Sequence, residues 1–252
     1  MKTIQIDTLA VEDVTFRETV DLLIGWARDG SGGYVTTPNV DHVVRAHSDA
    51  GFRKIVGGAR LRVPDGMGIV YGARLAGTPF RGSVTGRLLP MAVAAAAAAQ
   101  PVELALLGGR DDAAQKAGAG LEAAGAKVVA GIAPAMGFAI GGKDDAAAVA
   151  QLKTAAPRIL FVGLGSPKQE RWMAAHTADL PETVMVGVGY AIDILGGKTK
   201  AAPRWMTRIG AEWAFRMLSD PVRIGKRVFI GTPRFMWWMA RARLKRRRSG
   251  RG

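Results

Sequence analysis

The sequence predicts an α/β fold, a Rossmann-like parallel sheet flanked by helices and followed by a basic helical C-terminal appendage. Three observations carry this. Near-continuous apolar runs, VELALLGG (102–109), KVVAGIAP (127–134), RILFVGLG (158–165) and TVMVGVGYAID (183–193), alternate with helical segments, as strands buried on both faces do. Several runs stop at clusters of glycine and polar residues, the way parallel strands end at a ligand crevice. Charge is also divided: residues 1–199 hold 20 Lys/Arg against 19 Asp/Glu, and residues 200–252 hold 15 against 2, so the net +14 belongs almost wholly to the tail. At 252 residues and 48% apolar content the chain has ample core. It divides into an N-terminal α/β half (1–100), a Rossmann-like nucleotide-binding half (101–199) and a Trp/Arg-rich tail (200–252).

Taken in order, IQIDTL reads as a short strand and the segment from about Thr15 as a helix, with Val20, Leu22, Leu23 and Trp26 at helical spacing. Asp29 to Gly33 ends it, and a strand carrying Tyr34 follows. A helix is expected from Asp41 to Val56, capped by Asn39 or Asp41. A strand then runs to Asp65, a small-residue helix covers GMGIVYGARLAG, and an alanine-rich helix covers 84–99, where Pro90 kinks or starts it. In the second half helices are expected from Asp111 to about Ala124, from Asp144 to Ala155 and over PKQERWMAAH. Beyond Pro203 long helices mix Trp205, Trp213, Trp237 and Trp238 with arginines and end in RARLKRRRSGRG.

Composition excludes several classes. The chain has no cysteine, which removes disulfides and thiolate metal sites and fits a reducing compartment. His42, His47 and His176 are too few and scattered for zinc; the first two lie five apart, the wrong spacing for paired ligands, and read as structural or solvated. MKTIQIDTLAVED lacks the apolar core of a signal peptide. The longest apolar run, Leu88 to Ala99, falls far short of the ~20 residues of a spanning helix. A pI near 10.7 raises nucleic-acid binding as a rival, but the cations form a terminal appendix and no nucleic-acid motif accompanies them.

The chemistry is placed in Tyr34 to Gly68. One cluster supplies Thr36, Thr37, Asn39, Asp41 and His42, the other Asp65 among Pro64, Gly66 and Gly68. If the two strands are neighbours, Asn39 and Asp65 face one another across a pocket mouth, and a lone carboxylate there suits a general base. In VGLGSPKQE (162–170) a strand ends at Gly165 and a helix opens, so free N–H groups and the helix dipole suit a phosphate, with Lys168 and Gln169 offering a charge and an amide. The alternative is a tight strand-to-helix turn, and the third glycine of a nicotinamide fingerprint is missing. Gly108 and Gly109 in LLGGRDD let a nucleotide approach the backbone or simply make a turn. Asp193 stands where a ribose-binding carboxylate or an N-cap would sit. No D-x-D sequence is present, so a leaving diphosphate would be neutralised by cations and helix termini. The Met and Trp residues after 203 suit either core or an interfacial helix, and the adjacent arginine run favours an anionic membrane surface.

TPNVDHVVRA, VPDGMGIVYGARLAG, VTG at 84–86, LLGG, FVGLGSPKQERWM, GVGYAIDILGG, AAPRWM and GAEWAFRML fall in an order that resembles the WecG/TagA/CpsF family of bacterial glycosyltransferases, glycosyltransferase family 26. The resemblance implies an inverting, metal-independent transfer from a UDP-sugar to a polyprenyl-diphosphate-linked saccharide, by a peripheral protein on the cytoplasmic membrane face. No cofactor and no nucleic acid are expected, and a homo-oligomer is left open. It puts the general base on Asp65, the active-site Thr and Asn on Thr37 and Asn39, the nucleotide-side Gln on Gln169, and pocket-reaching arginines on Arg216, Arg223 and Arg227. Two family arginines are replaced here by Ser83 and Ala201.

Overall fold

A computed structural model of the chain describes residues 1–135, 137–203, 206, 215 and 227–249. The opening segment is two strands rather than one: β1 (Thr3–Ile6) and β2 (Leu9–Glu12) form an antiparallel hairpin that reverses at Asp7, whose φ is +50°. Helix α1 (Phe16–Arg28) begins at a capping box, Thr15 accepting from the Glu18 N–H and Glu18 from the Thr15 N–H. After β3 (Gly33–Thr36), the expected long helix is broken at Asp49. That residue is extended, and its carboxylate caps a new start at the Phe52 N–H (2.8 Å), giving α2 (Val40–Ser48) and α3 (Ala50–Gly57). There follow β4 (Leu61–Arg62), α4 (Met67–Leu75), a 3-10 turn at Gly86–Leu88 and α5 (Leu89–Ala97). Pro90 sits in the first turn of α5, where its missing N–H costs nothing, so it starts the helix instead of kinking it.

The second half alternates strictly: β5 (Glu103–Gly108), α6 (Ala113–Ala123), β6 (Lys127–Ile132), α7 (Lys143–Ala155), β7 (Ile159–Gly163), α8 (Lys168–Ala175) and β8 (Val184–Gly187). The run to Asp193 is not all strand. β8 stops at Gly187, Gly189 turns the backbone with φ +56°, and a short α9 (Ala191–Leu195) begins. In the tail, a π-helical turn at Arg227–Gly231 leads into α10 (Thr232–Ser249).

Six strands form one all-parallel sheet in the order β4-β3-β8-β7-β5-β6. Side-chain alternation sets the layers. Leu104 and Leu106 of β5, Ile159 and Phe161 of β7, and Val184 and Val186 of β8 enter the core under α1, α5 and α6. Ala105, Leu107, Leu160, Val162 and Met185 point the other way, against Trp172 and Met173 of α8 and Leu152 of α7. With both faces covered, every strand interior is apolar, as the sequence runs indicated. After β5 the chain turns toward β6, and after β7 it turns the opposite way toward β8, so the loops between them diverge and open a crevice at the carboxyl ends.

The N-terminal hairpin is latched to this sheet by charge. Arg62 of β4 pairs with Glu12, whose Oε2 also accepts the Arg62 N–H (2.8 Å), and Arg81 bridges Glu18 (2.7 Å) and Asp13. Arg81 is thereby committed to the hairpin end and α1.

The basic tail is partly core. Phe235 and Met239 of α10 are 0% and 1% exposed, packed with Ile69, Val70 and Ala73 of α4 and Val43 of α2. Trp238 stacks on His47 at 4.0 Å between centroids, so His47 is held and not simply solvated. Among the described residues no helix is long and apolar enough to cross a membrane. The docking depends on Gly72, since a Cβ there would stand 2.3 Å from ring carbons of Phe235. Gly72→Ala should therefore cost about 1–3 kcal/mol through overpacking, read as a lowered urea midpoint. Pairing it with Phe235→Leu should recover part of that loss, and full stability of the single variant would contradict the packing.

Candidate active site

Polar side chains collect where β3, β4, β7 and β8 end. β3 and β4 are paired neighbours, and beyond them the Val63 N–H reaches the Thr36 carbonyl (3.0 Å) and the Asp65 N–H the Pro38 carbonyl (2.9 Å). The Asp65 turn therefore lies against the segment carrying Thr37 and Asn39. Half-buried Asp65 accepts the Gly86 N–H on Oδ1 (3.1 Å). Thr37 is buried, donates to the Gly187 carbonyl of β8 (3.1 Å), and its methyl would lie 3.2 Å from a Cβ on Gly86. Thr37, Gly86 and Asp65 are thus one packed unit.

Ser83 secures the same turn. Its Oγ accepts the Gly66 N–H (2.9 Å), while the Val84 N–H reaches the Pro64 carbonyl (2.7 Å). This short hydroxyl braces the backbone on both sides of Asp65.

Asn39 settles the capping question for α2: its Oδ1 accepts from the Asp41 and His42 N–H groups at 3.0 and 3.3 Å. The same oxygen lies 3.0 Å from His42 Nδ1, and His42 Nε2 lies 3.1 Å from Glu170 Oε1 in the first turn of α8. Gln169, 3% exposed, donates to that Glu170 oxygen (2.7 Å) and accepts the Gly189 N–H on its own (3.0 Å). Burial pushes the Glu170 carboxyl up, but the His42 imidazole and the Gln169 amide outweigh it and hold it below the ordinary glutamate value. Glu170 is the residue sequence reasoning missed, and His42, read from the sequence as a cluster member that was structural or solvated, is its buried partner. The available signal was Asn-x-x-His at a helix start, the spacing at which an N3 side chain reaches back to the cap.

The remaining site residues are placed as follows. β7 ends at Gly163, two residues before the expected Gly165, which lies in the turn with φ +75° and whose carbonyl accepts the Gln169 N–H (2.9 Å) at the start of α8. Lys168 points to the 133–142 loop, its Nζ donating to the Phe138 carbonyl (2.6 Å) above the Phe138 ring. Gly108 and Gly109 have packing reasons: a Cβ on Gly108 would stand 2.4 Å from the Gly163 carbonyl oxygen, and one on Gly109 2.8 Å from Ile192. Asp193 lies in the first turn of α9 and accepts the Arg110 N–H (2.9 Å), with the guanidinium of Arg110 tied to Thr199 (2.7 Å). Arg216 and Arg223 lie outside the described residues, and Arg227 opens the π-helical turn.

A shallow hollow of about 350 Å³ lies elsewhere, lined by Gly141, Asp145, Lys153, His176 and Asp179 among others. Its buried carboxylate, Asp145, is already bonded to the Gly141 N–H, Trp172 Nε1 and His176 Nε2. The strand-end crevice, with its half-buried carboxylate and helix start, is the better chemical site. Among the described residues no three His, Cys, Asp or Glu side chains group to hold a metal ion.

The profile of the glycosyl transferase WecG/TagA/CpsF family matches residues 4–249. Curated relatives named N-acetylglucosaminyldiphosphoundecaprenol N-acetyl-beta-D-mannosaminyltransferase, from Staphylococcus aureus strains MW2 and NCTC 8325 / PS 47, are 38% identical over 102 residues. Their counterpart from strain MRSA252 is 36% identical over the same length. The aligned part is 40% of this chain and 39% of each relative, so the match spans about two fifths of their length.

Ser83→Ala should leave the Gly66 N–H without its partner and cost about 1–3 kcal/mol, measured by urea unfolding at neutral pH. An unchanged midpoint would show that the hydroxyl does not brace the Asp65 turn.

Proposed function

The chain belongs to the WecG/TagA/CpsF glycosyl transferase family, and on that premise we propose that it moves a sugar from a UDP-sugar to a polyprenyl-diphosphate-linked saccharide in cell-envelope polysaccharide synthesis. The names of the partial relatives favour an N-acetylmannosamine-type donor and an N-acetylglucosaminyl-diphosphoundecaprenol acceptor. Glucose or a uronic acid is the alternative donor.

The observation that carries the reading is Asp65: a half-buried carboxylate at the carboxyl end of a parallel sheet, with one oxygen on the Gly86 N–H and a helix start across the crevice. In the proposed step Asp65 takes the proton of an acceptor hydroxyl as that oxygen bonds to the anomeric carbon. The bond from that carbon to the diphosphate oxygen breaks with inversion, and UDP leaves with the electron pair. Thr37 and Asn39 border the reacting atoms. The Gly165 to Gln169 segment and the Gly189 backbone it holds face the nucleotide, with Gly108, Gly109 and Asp193 on the neighbouring loops. The negative charge of the leaving group is met by helix N–H groups and by the tail arginines Arg216, Arg223 and Arg227, without a divalent ion.

The tail supports peripheral attachment to an anionic membrane. Beyond the docked side of α10, Trp237 and Leu244 are 55% and 58% exposed, and Phe229 and Ile230 before it are 71% and 52% exposed. Exposed Arg241, Arg243, Lys245 and Arg246 accompany them, with the Arg241 guanidinium 4.4 Å from the Trp237 ring centroid.

Asp65→Asn should lower turnover by about 10²–10⁴-fold with UDP affinity kept, in an assay of UDP release with a short-chain lipid-diphosphate sugar acceptor. Undiminished turnover would dispose of the base. Changing Arg243, Lys245 and Arg246 to Gln leaves Phe235 and Met239 in place and should weaken sedimentation with phosphatidylglycerol vesicles by about 1 kcal/mol per cation at low salt. Equal sedimentation of both proteins would remove the membrane role of the tail.

A further inference from the structure

His42 and Glu170 take no part in the step above, yet they lie between its two sides. Their side chains are 3% and 0% exposed, and Glu170 Oε2 is buried without a hydrogen-bond partner. Leaving a carboxylate oxygen in that state is costly, so the pair is a specific feature of the interior. It links an unbroken chain of contacts from Asn39 on the Asp65 side, through His42 and Glu170, to Gln169 and the Gly189 N–H on the helix-start side.

Counting protons along this chain fixes its orientation. Asn39 Oδ1 already receives two backbone N–H groups, so the atom facing His42 is an acceptor and Nδ1 of His42 must carry a proton. The Asn39 NH₂ group is thereby turned away from the cap, and no hydrogen bond among the described residues engages it. At the other end Gln169 receives the Gly189 N–H on its oxygen, so its NH₂ faces Glu170 Oε1. Glu170 Oε1 therefore accepts from Gln169, and one further proton lies between it and His42 Nε2. No donor or acceptor in the chain can be reversed without breaking a neighbour.

We propose that His42 and Glu170 are positioning residues: through one buried proton they hold the Asn39 amide toward the acceptor side and the Gln169 to Gly189 contact on the nucleotide side in a single arrangement. The kinetic consequence rests on the glycosyl-transfer reading; the geometric one does not. Asn39, aimed in this way, presents two N–H donors to a sugar oxygen. Gln169, aimed in this way, sets the Gly189 turn. Because both amides depend on the same pair, the two sides of the crevice are set together.

Two variants test this in the full chain. Glu170→Gln keeps the volume, but one amide cannot satisfy both neighbours. With its oxygen in place of Oε1 it accepts from Gln169, and a neutral His42 must then give up its proton toward Asn39. With its nitrogen there, it opposes the Gln169 NH₂. His42→Gln places a donor where Nε2 was and nothing where Nδ1 was, so only the Asn39 side is released. Side-chain amide signals of Asn39 and Gln169 and the ring nitrogens of His42, read by ¹⁵N NMR, report this without turnover. For His42→Gln the Asn39 amide should move and that of Gln169 should stay, with kcat lowered by about 10²-fold and the UDP Kd kept. For Glu170→Gln at least one of the two amides should move, with a similar loss of rate. Unmoved amides in both variants, or losses of rate that only follow the loss of folded protein, would overturn the proposal. If the unmodified protein transfers no sugar while the amides respond as described, the positioning pair stands and the transfer reading falls.

Discussion

The buried contact of His42 with Glu170, 3.1 Å between Nε2 and Oε1, is the constraint around which the crevice is assembled. α2 and α8 start at opposite sides of the strand ends, and each presents a first-turn side chain to the other. A polar pair removed from water is a poor source of net stability, since desolvation offsets most of its attraction. Its value lies in register: the pair is satisfied only when both helix starts sit at one height above the sheet. That height also sets Asn39 and Gln169, so the geometry of the crevice and the packing of its walls are the same problem solved once.

Around it the chain spends small residues where backbones must meet. Gly108 lets β5 and β7 run together to the crevice floor, Gly86 lets the 3-10 turn reach both Thr37 and Asp65, and Gly72 lets Phe235 sit on α4. The tail is therefore continuous with the hydrophobic unit that holds α2, the helix capped by Asn39. Anything that moves α10 presses on the element carrying Asn39, which ties the tail and the geometry of the crevice into one body. Ser83 fits the same economy, its hydroxyl bracing the backbone of the Asp65 turn directly.

The sheet was legible because parallel strands covered on both faces leave an apolar record in every residue, and strand ends leave a glycine record. Asp65 and Asn39 were legible as candidates because each follows such a run. The errors fell where local cues are ambiguous. The opening hairpin was hidden because a single residue, Asp7, turns it with a positive φ. The break at Asp49 was hidden because an aspartate inside an amphipathic stretch reads as a solvated position until its side chain is seen capping Phe52. β8 was overextended because glycine and alanine continue an apolar run without saying whether they continue a strand.

By itself the sequence determined the α/β class, the alternation of elements, the sites of chain reversal at glycine, the segregation of charge into the tail, and which carboxylate stands at a strand end. These follow from periodicity and composition, properties of neighbours along the chain. Only the tertiary structure decided that β3 lies against both β4 and β8, that Arg81 serves the N-terminal hairpin, that Phe235 and Met239 are core, and that His42 meets Glu170 across 128 positions. The physical reason is that a buried polar group is defined by the partner that satisfies it, and that partner is chosen by packing between elements remote in the chain.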